Sequence, residues 1–115
     1  IALTTDMSVI TSIGNDISYN EIFSRQVQAL GQKGDIAFAI STSGNSPNVL
    51  RGVEVAKQKG ITTIAFTGGT GGKPINFADH VFLVPSKNTA RIQETHITLG
   101  HIICELVEDH LFGEA

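Results

Sequence analysis

At 115 residues the chain suits one domain with a single core and is too short for two. Eleven acidic residues against eight scattered Lys and Arg give a net charge of −3, which leaves no electrostatic footprint for nucleic acid or an anionic membrane. A single cysteine, Cys104, excludes an internal disulfide framework and fits a reducing cytoplasm, and no apolar run approaches the length of a membrane span.

Residues 1–3 read as the end of a strand that leaves through Thr4, Thr5 and Asp6. The opening carries no Met and lies inside an apolar run, so the expectation is a longer native polypeptide. Residues 8–13 fit a short helix. Gly14, Asn15 and Asp16 then predict a sharp turn, because all three tolerate tight backbone geometry. Ser18 and Glu21 have capping-box spacing. Ile22, Phe23, Val27 and Leu30 give the next helix its apolar face, and Gly31 closes it.

The run Ile36-Ala37-Phe38-Ala39-Ile40 predicts a strand buried on both faces, as central parallel strands are. It ends in a hydroxyl-rich turn, Ser41-Thr42-Ser43-Gly44-Asn45-Ser46. A helix follows, with Ser46 at the N-cap and Pro47 at the first helical position. Val49, Leu50, Val53 and Ala56 keep helical spacing until Gly60 stops it. A strand, a tight polar loop and a helix N-terminus make an anion site, since free N–H groups and the helix dipole favour negative charge there. The loop has neither the lysine of a Walker A motif nor G-x-G-x-x-G spacing, so its guest is a phosphorylated small molecule rather than a nucleotide. On composition alone it fits an ordinary strand-to-helix turn equally well.

Residues 61–66 predict another buried strand, leading into a glycine-rich loop at 67–72 and a short helical turn at 74–77. Residues 80–85 make the next strand, with Pro85 at a terminal or edge position. A loop at 86–89 enters the final helix, 90 to about 111. Strands near 1–3, 36–41, 61–66 and 80–85 alternate with helices, which predicts βαβ units and a parallel sheet. The expected fold class is α/β, a three-layer αβα sandwich forming one domain over residues 1–115. Ligands in such sheets bind at the carboxyl ends of strands. Segments 4–6, 41–46, 67–72 and 85–89 gather at that edge.

In the final helix Ile92, Leu99, Ile102, Ile103, Leu106 and Val107 form a wide apolar stripe, so it should pack on something substantial. Gln93, Glu94, His96 and His101 are set among them. Gln93 and His101 lie eight residues apart and share roughly one side; Glu94 and His101 are aligned more closely. A histidine here can be a general acid/base, or a metal ligand with Gln93 or Glu94 as oxygen donor, and spacing alone fits a structural histidine as well. Without H-x-x-x-H or H-E-x-x-H spacing, a metal would need further ligands from another segment or subunit. His80 and His110 read as structural, and Cys104 as a small core residue. Arg91 and Glu94 have ion-pair spacing, although Arg91 near the helix start can also face a phosphate. On local grounds Asn15 and Asp16 are turn formers.

Three stretches together resemble the sugar-isomerase (SIS) domain family: Ile13-Gly14-Asn15-Asp16, the run from Ile40 through Ser46 to Val49, and Ala90-Arg91-Ile92-Gln93-Glu94-Thr95-His96-Ile97 with His101. The likeness covers essentially the whole chain. The middle motif marks the family generally; the first and third point to its branch acting on seven-carbon sugar phosphates. The resemblance implies that Ser41, Thr42, Ser43 and Ser46 hold the sugar phosphate and that Asn15 and Asp16 contact the hydroxyl chain. It implies that Gln93 contacts substrate and a zinc ion, and that His101 is zinc ligand and catalytic acid/base. The implied reaction interconverts sedoheptulose 7-phosphate and D-glycero-D-manno-heptose 7-phosphate through an enediol, the first step towards heptose precursors. The resemblance further implies a cytoplasmic homotetramer. In the family a glutamate and another histidine lie upstream of where this chain begins, so the chain alone is expected to be an incomplete enzyme lacking N-terminal helices. Two alternatives stand beside this reading: a non-catalytic SIS module that binds a phosphosugar or the bacterial replication initiator, and an SIS enzyme acting on hexose phosphates.

Overall fold

The computed structural model describes residues 1–71 and 77–113. In chain order the elements are α1 (Met7–Asp16), a 3₁₀ turn (Tyr19–Glu21), α2 (Ser24–Leu30), β1 (Ile36–Ile40), α3 (Pro47–Gln58), β2 (Thr62–Gly68), β3 (His80–Val84) and α4 (Thr89–Phe112). The strands form a parallel sheet in the order β1-β2-β3. Ile36 pairs with Thr62 and Ile40 with Phe66, while Ile64 pairs with His80 and Gly68 with Val84.

Side chains alternate across a strand, so β2 presents Thr63, Ala65 and Thr67 to one face and Ile64, Phe66 and Gly68 to the other. On the first face Ala39, Val53, Ala65 and Ala78 form a buried cluster with half-buried Val49, Leu50 and Val81, which seats α3. A second cluster of Val27, Ala56 and Ile61 joins α2 to α3. On the other face Phe38, Phe66 and Phe82 run across the three strands edge to face, with ring centroids 5.7 and 5.5 Å apart. Ile92 and His96 of α4 are buried there. Helices on both sheet faces give the expected α/β three-layer sandwich.

Asp79 ties the start of β3 to the central strand. Its Oδ2 accepts from Thr63 N (2.8 Å) and Thr63 Oγ1 (2.9 Å), Thr63 Oγ1 accepts from Asp79 N (3.0 Å), and Oδ1 pairs with Lys57 Nζ at 2.8 Å. Lys57 first, then the two Thr63 donors, hold this carboxyl well below the usual carboxylate range.

Several expectations are corrected. Residues 1–3 form no strand; Leu3 packs against the Val27–Ala56–Ile61 cluster and its carbonyl accepts from Gln26 Nε2 at 2.9 Å, so its backbone serves a helix side chain instead of a ladder. The sharp turn at residues 14–16 is the last turn of α1, which Asp6 caps through Val9 N (3.0 Å) and which runs on through Gly14 to Asp16. Ser18 caps the short 3₁₀ turn by accepting from Asn20 N, and Glu21 turns away from it to Ser24 and Arg51. β1 is an edge strand among the described residues, and its Ile36, Phe38 and Ile40 are about half exposed. The reason is coverage: α4 crosses the sheet at β2, leaving the neighbouring strand open on that side. At 24 residues α4 is about 36 Å long, so it overshoots the sheet, and Leu106, Val107 and Leu111 are at least half exposed. Cys104 is exposed rather than a core residue for the same reason. The helical turn expected at 74–77 lies outside the described residues except for Phe77.

Candidate functional site

The site begins where β1 stops. Ser41 N donates to Phe66 O at 3.0 Å, carrying the ladder one residue further before the chain turns. Ser41 is buried, and its Oγ accepts from Gly44 N (3.1 Å) and shares a hydrogen bond with Ser46 Oγ (3.1 Å). Ser43 Oγ accepts from Asn45 N at 3.2 Å. Gly44 has φ 68°, and a Cβ there would lie 2.3 Å from Gly71 O and 2.8 Å from Thr67 Oγ1. Glycine is therefore required twice over, by the left-handed backbone and by the approach of the second loop. Ser46 occupies the N-cap position of α3, but its hydroxyl makes no capping bond, which departs from the expected cap. It is held towards Ser41 instead, so the positive end of α3 opens onto the loop.

Beside this loop lies a cleft of about 510 Å³. Its walls are Thr42 and Ser43, Gly68 at the end of β2 with Gly69 and Thr70 beyond it, residues 85–87 after β3, and Thr89 and Ile92 of α4. Five of these carry hydroxyls, Lys87 is the one cation, and no carboxylate is among them. Such a lining suits a compact anion with several acceptor oxygens. Among the described residues Lys87 makes no ion pair that would compete for the anion.

The expected site residues divide. Thr42 and Ser43 line the cleft, and Ser41 and Ser46 brace them from behind. Asn15 and Asp16 stand exposed at the end of α1, where Asn15 Nδ2 donates to Asp16 Oδ1 at 2.7 Å, and they do not line the cleft. Gln93 and His101 are exposed on α4, about 12 Å apart along its axis at 1.5 Å per residue. Arg91 pairs with Glu94 as the spacing predicts. Sequence reasoning did not single out Lys87 or Thr89, although the loop after β3 was placed at the correct edge. A cation in a carboxyl-edge loop was the available signal.

Gln93 and His101 offer the oxygen and nitrogen donors that suit zinc. Two donors are fewer than a four-coordinate site needs, and no group of three His, Cys, Asp or Glu among the described residues could hold a metal. Any remaining ligands would have to come from outside the described residues.

A parallel sheet with a hydroxyl-lined cleft at its carboxyl edge is the setting in which α/β domains bind small ligands. Residues 1–68 match the family described as SIS domain, and the chain belongs to that family. It is 62% identical over 112 residues to the phosphoheptose isomerase of Thermodesulfovibrio yellowstonii, a match covering 97% of this chain and 56% of that protein. It is 59% identical over 109 residues to the phosphoheptose isomerase of Aquifex aeolicus, covering 95% and 57% respectively. The solved structure of phosphoheptose isomerase from Neisseria gonorrhoeae superposes with a TM-score of 0.91 at 47% identity, over 93% of this chain and 61% of that one. The chain thus spans a little over half the length of the curated relatives it matches.

Proposed function

We propose that this chain is the phosphosugar-holding part of an isomerase that interconverts sedoheptulose 7-phosphate and the corresponding heptose 7-phosphate. The observation that carries the proposal is the cleft at the carboxyl edge, with five hydroxyl side chains, one lysine and no carboxylate. The similarity to phosphoheptose isomerases supports the choice of a seven-carbon substrate over a hexose phosphate.

In this reading the Ser41–Ser46 loop and the N-terminus of α3 take the phosphate, so the inert end of the sugar is fixed. Asn15 and Asp16 contact the hydroxyl chain, and Gln93 contacts the substrate further along. Moving a hydrogen between adjacent carbons needs one acid/base at carbon and another at oxygen. His101 supplies one of these groups, and the second lies outside the described residues. Gln93 and His101 would hold a zinc ion, whose chemistry is Lewis-acid polarisation of the carbonyl. The exposed apolar residues Leu106, Val107 and Leu111 support a homo-oligomer, read as a tetramer, and the lone cysteine supports a cytoplasmic location.

The test is incubation of the full-length protein, of which this chain is the proposed phosphosugar-holding part, with sedoheptulose 7-phosphate and zinc, following the aldose product by NMR. No conversion would sink the proposal. With conversion in hand, His101→Ala should abolish turnover and leave thermal unfolding unchanged, because His101 is exposed. A second reading, a binding module without catalysis, draws support from Asn15, Asp16, Gln93 and His101 lying off the cleft lining. Phosphosugar binding without turnover would select it.

A further inference from the structure

His96 is a buried imidazole, 5% exposed, under the first half of α4. Its Nε2 lies 2.9 Å from the backbone carbonyl oxygen of Thr67. A carbonyl can only accept, so Nε2 carries the hydrogen and the ring's tautomer is set. Nδ1 then presents a lone pair, buried and with no partner among the described residues. The ring leans on Phe66 at 5.6 Å and 39°.

One turn earlier Ile92 fills the notch over Gly68, where a Cβ would come within 2.4 Å of its Cδ1. Two contacts, one apolar and one polar, thus fasten α4 to consecutive residues at the carboxyl end of β2. They involve the two buried residues of the helix. Thr67 also faces the phosphate loop, since its Oγ1 lies where a side chain at position 44 would intrude. The same residue therefore touches the loop through its side chain and the helix through its carbonyl.

A phenylalanine could also pack on Phe66 and would leave no unpaired Nδ1, but it would take away the N–H that the Thr67 carbonyl accepts. What the imidazole adds is direction. Ile92 in its notch fixes the level of α4 but lets it roll; a hydrogen bond to a fixed carbonyl resists rolling. Gln93 sits between the two contacts in sequence, and His101 follows His96 by five residues, about 7.5 Å along the axis. We infer that His96 is a positioning residue: its Nε2–H to Thr67 sets the rotation of α4 and thereby aims Gln93 and His101 relative to the anion cleft. The inference rests on the isomerase reading for its consequence in catalysis, and on geometry alone for the docking of the helix.

The experiment compares His96→Phe and His96→Gln in the full-length protein of which this chain is the proposed part, since a glutamine can place an N–H near the position of Nε2. His96→Phe should lower kcat for sedoheptulose 7-phosphate by about tenfold to a hundredfold, with KM changed by no more than about twofold, as expected when binding survives but reacting groups are misplaced. His96→Gln should recover most of that loss. Amide hydrogen exchange should rise across residues 93–101 in the Phe variant only, with β2 and α3 unchanged. Nitrogen-15 NMR of the wild type should show the Nε2–H tautomer at His96. If the wild type shows no turnover, the isomerase reading falls, while the tautomer and the exchange pattern still decide the docking. If the Phe variant does not fold, the tautomer and the exchange of the Gln variant decide it. A Nδ1–H tautomer, equal losses in both variants, or wild-type kcat and exchange in His96→Phe would overturn the inference.

Discussion

Gly68 offers a direct test of how closely α4 is seated. It is buried on β2 and lacks a positive φ, so alanine there meets no backbone strain. Its Cβ would, however, lie 2.4, 2.7 and 2.8 Å from Cδ1, Cγ2 and Cγ1 of Ile92, against about 3.5–4.0 Å for a relaxed carbon contact. The helix must retreat by about 1 Å or Ile92 must leave its rotamer, an overpacking cost of about 1–3 kcal/mol. Ile92→Ala alone should cost about 2–5 kcal/mol, because the side chain is 4% exposed and leaves a cavity. Together the two changes remove the clash, since every carbon that the new methyl would strike is gone. The double variant should therefore be more stable than the sum of the singles predicts, by about 1–3 kcal/mol. Urea unfolding of the four proteins measures this, with a common m-value as the control for two-state behaviour. Additivity within about 0.5 kcal/mol would refute the packing argument.

The remaining predictions address the site and its supports. Ser43→Ala, which removes a hydroxyl from the cleft lining, should weaken inorganic phosphate binding by about 1–3 kcal/mol, the range for a hydrogen bond to a charged group, and an unchanged Kd by calorimetry would remove this loop from the site. Lys87→Gln should lower phosphate affinity and flatten its dependence on ionic strength, because the cleft then has no cation in its lining; an unaltered salt slope would show that Lys87 does not reach the anion. Asp79 has a lowered folded-state pKa, so its contribution to stability is full above the ordinary carboxylate range near pH 4 and is lost as pH falls below it. Asp79→Asn should be less stable than wild type at pH 7, with the difference shrinking towards pH 2 in denaturant titrations. A constant difference across that range would contradict the linkage.

The sequence made the strands legible because 36–40, 61–66 and 80–85 are apolar runs bounded by glycine, proline and polar loops, and the parallel order follows from the helices between them. The strand-to-helix loop at 41–46 was legible for the same reason: Ser46 and Pro47 mark a helix start directly after a strand. What local pattern could not convey was which faces would be covered. Phe38 and Ile40 have the composition of a core strand, yet their burial depends on a neighbour that α4 does not provide. Asn15 and Asp16 looked like a turn because Gly14 precedes them, but a capped helix tolerates one glycine at a cost of about 1 kcal/mol and runs on. His96 shows the opposite limit. Its spacing suited an acid/base or metal-binding histidine as well as a structural one, and only the sheet beneath it, with a carbonyl in reach, shows how the ring is placed. The roles assigned to Gln93 and His101 came from the motif, since neither burial nor contact marks them out.

The uneven seating of α4 gives it the mechanics of a lever. Its fulcrum is the pair of contacts at Ile92 and His96, close to one end. From there His101 is about 7.5 Å away and Phe112 about 24 Å, at 1.5 Å per residue. A tilt of about 5° would carry the far end about 2 Å but shift the Cα of His101 by about 0.7 Å, by the same geometry. A movement of the exposed arm is thus scaled down about threefold at the position of His101.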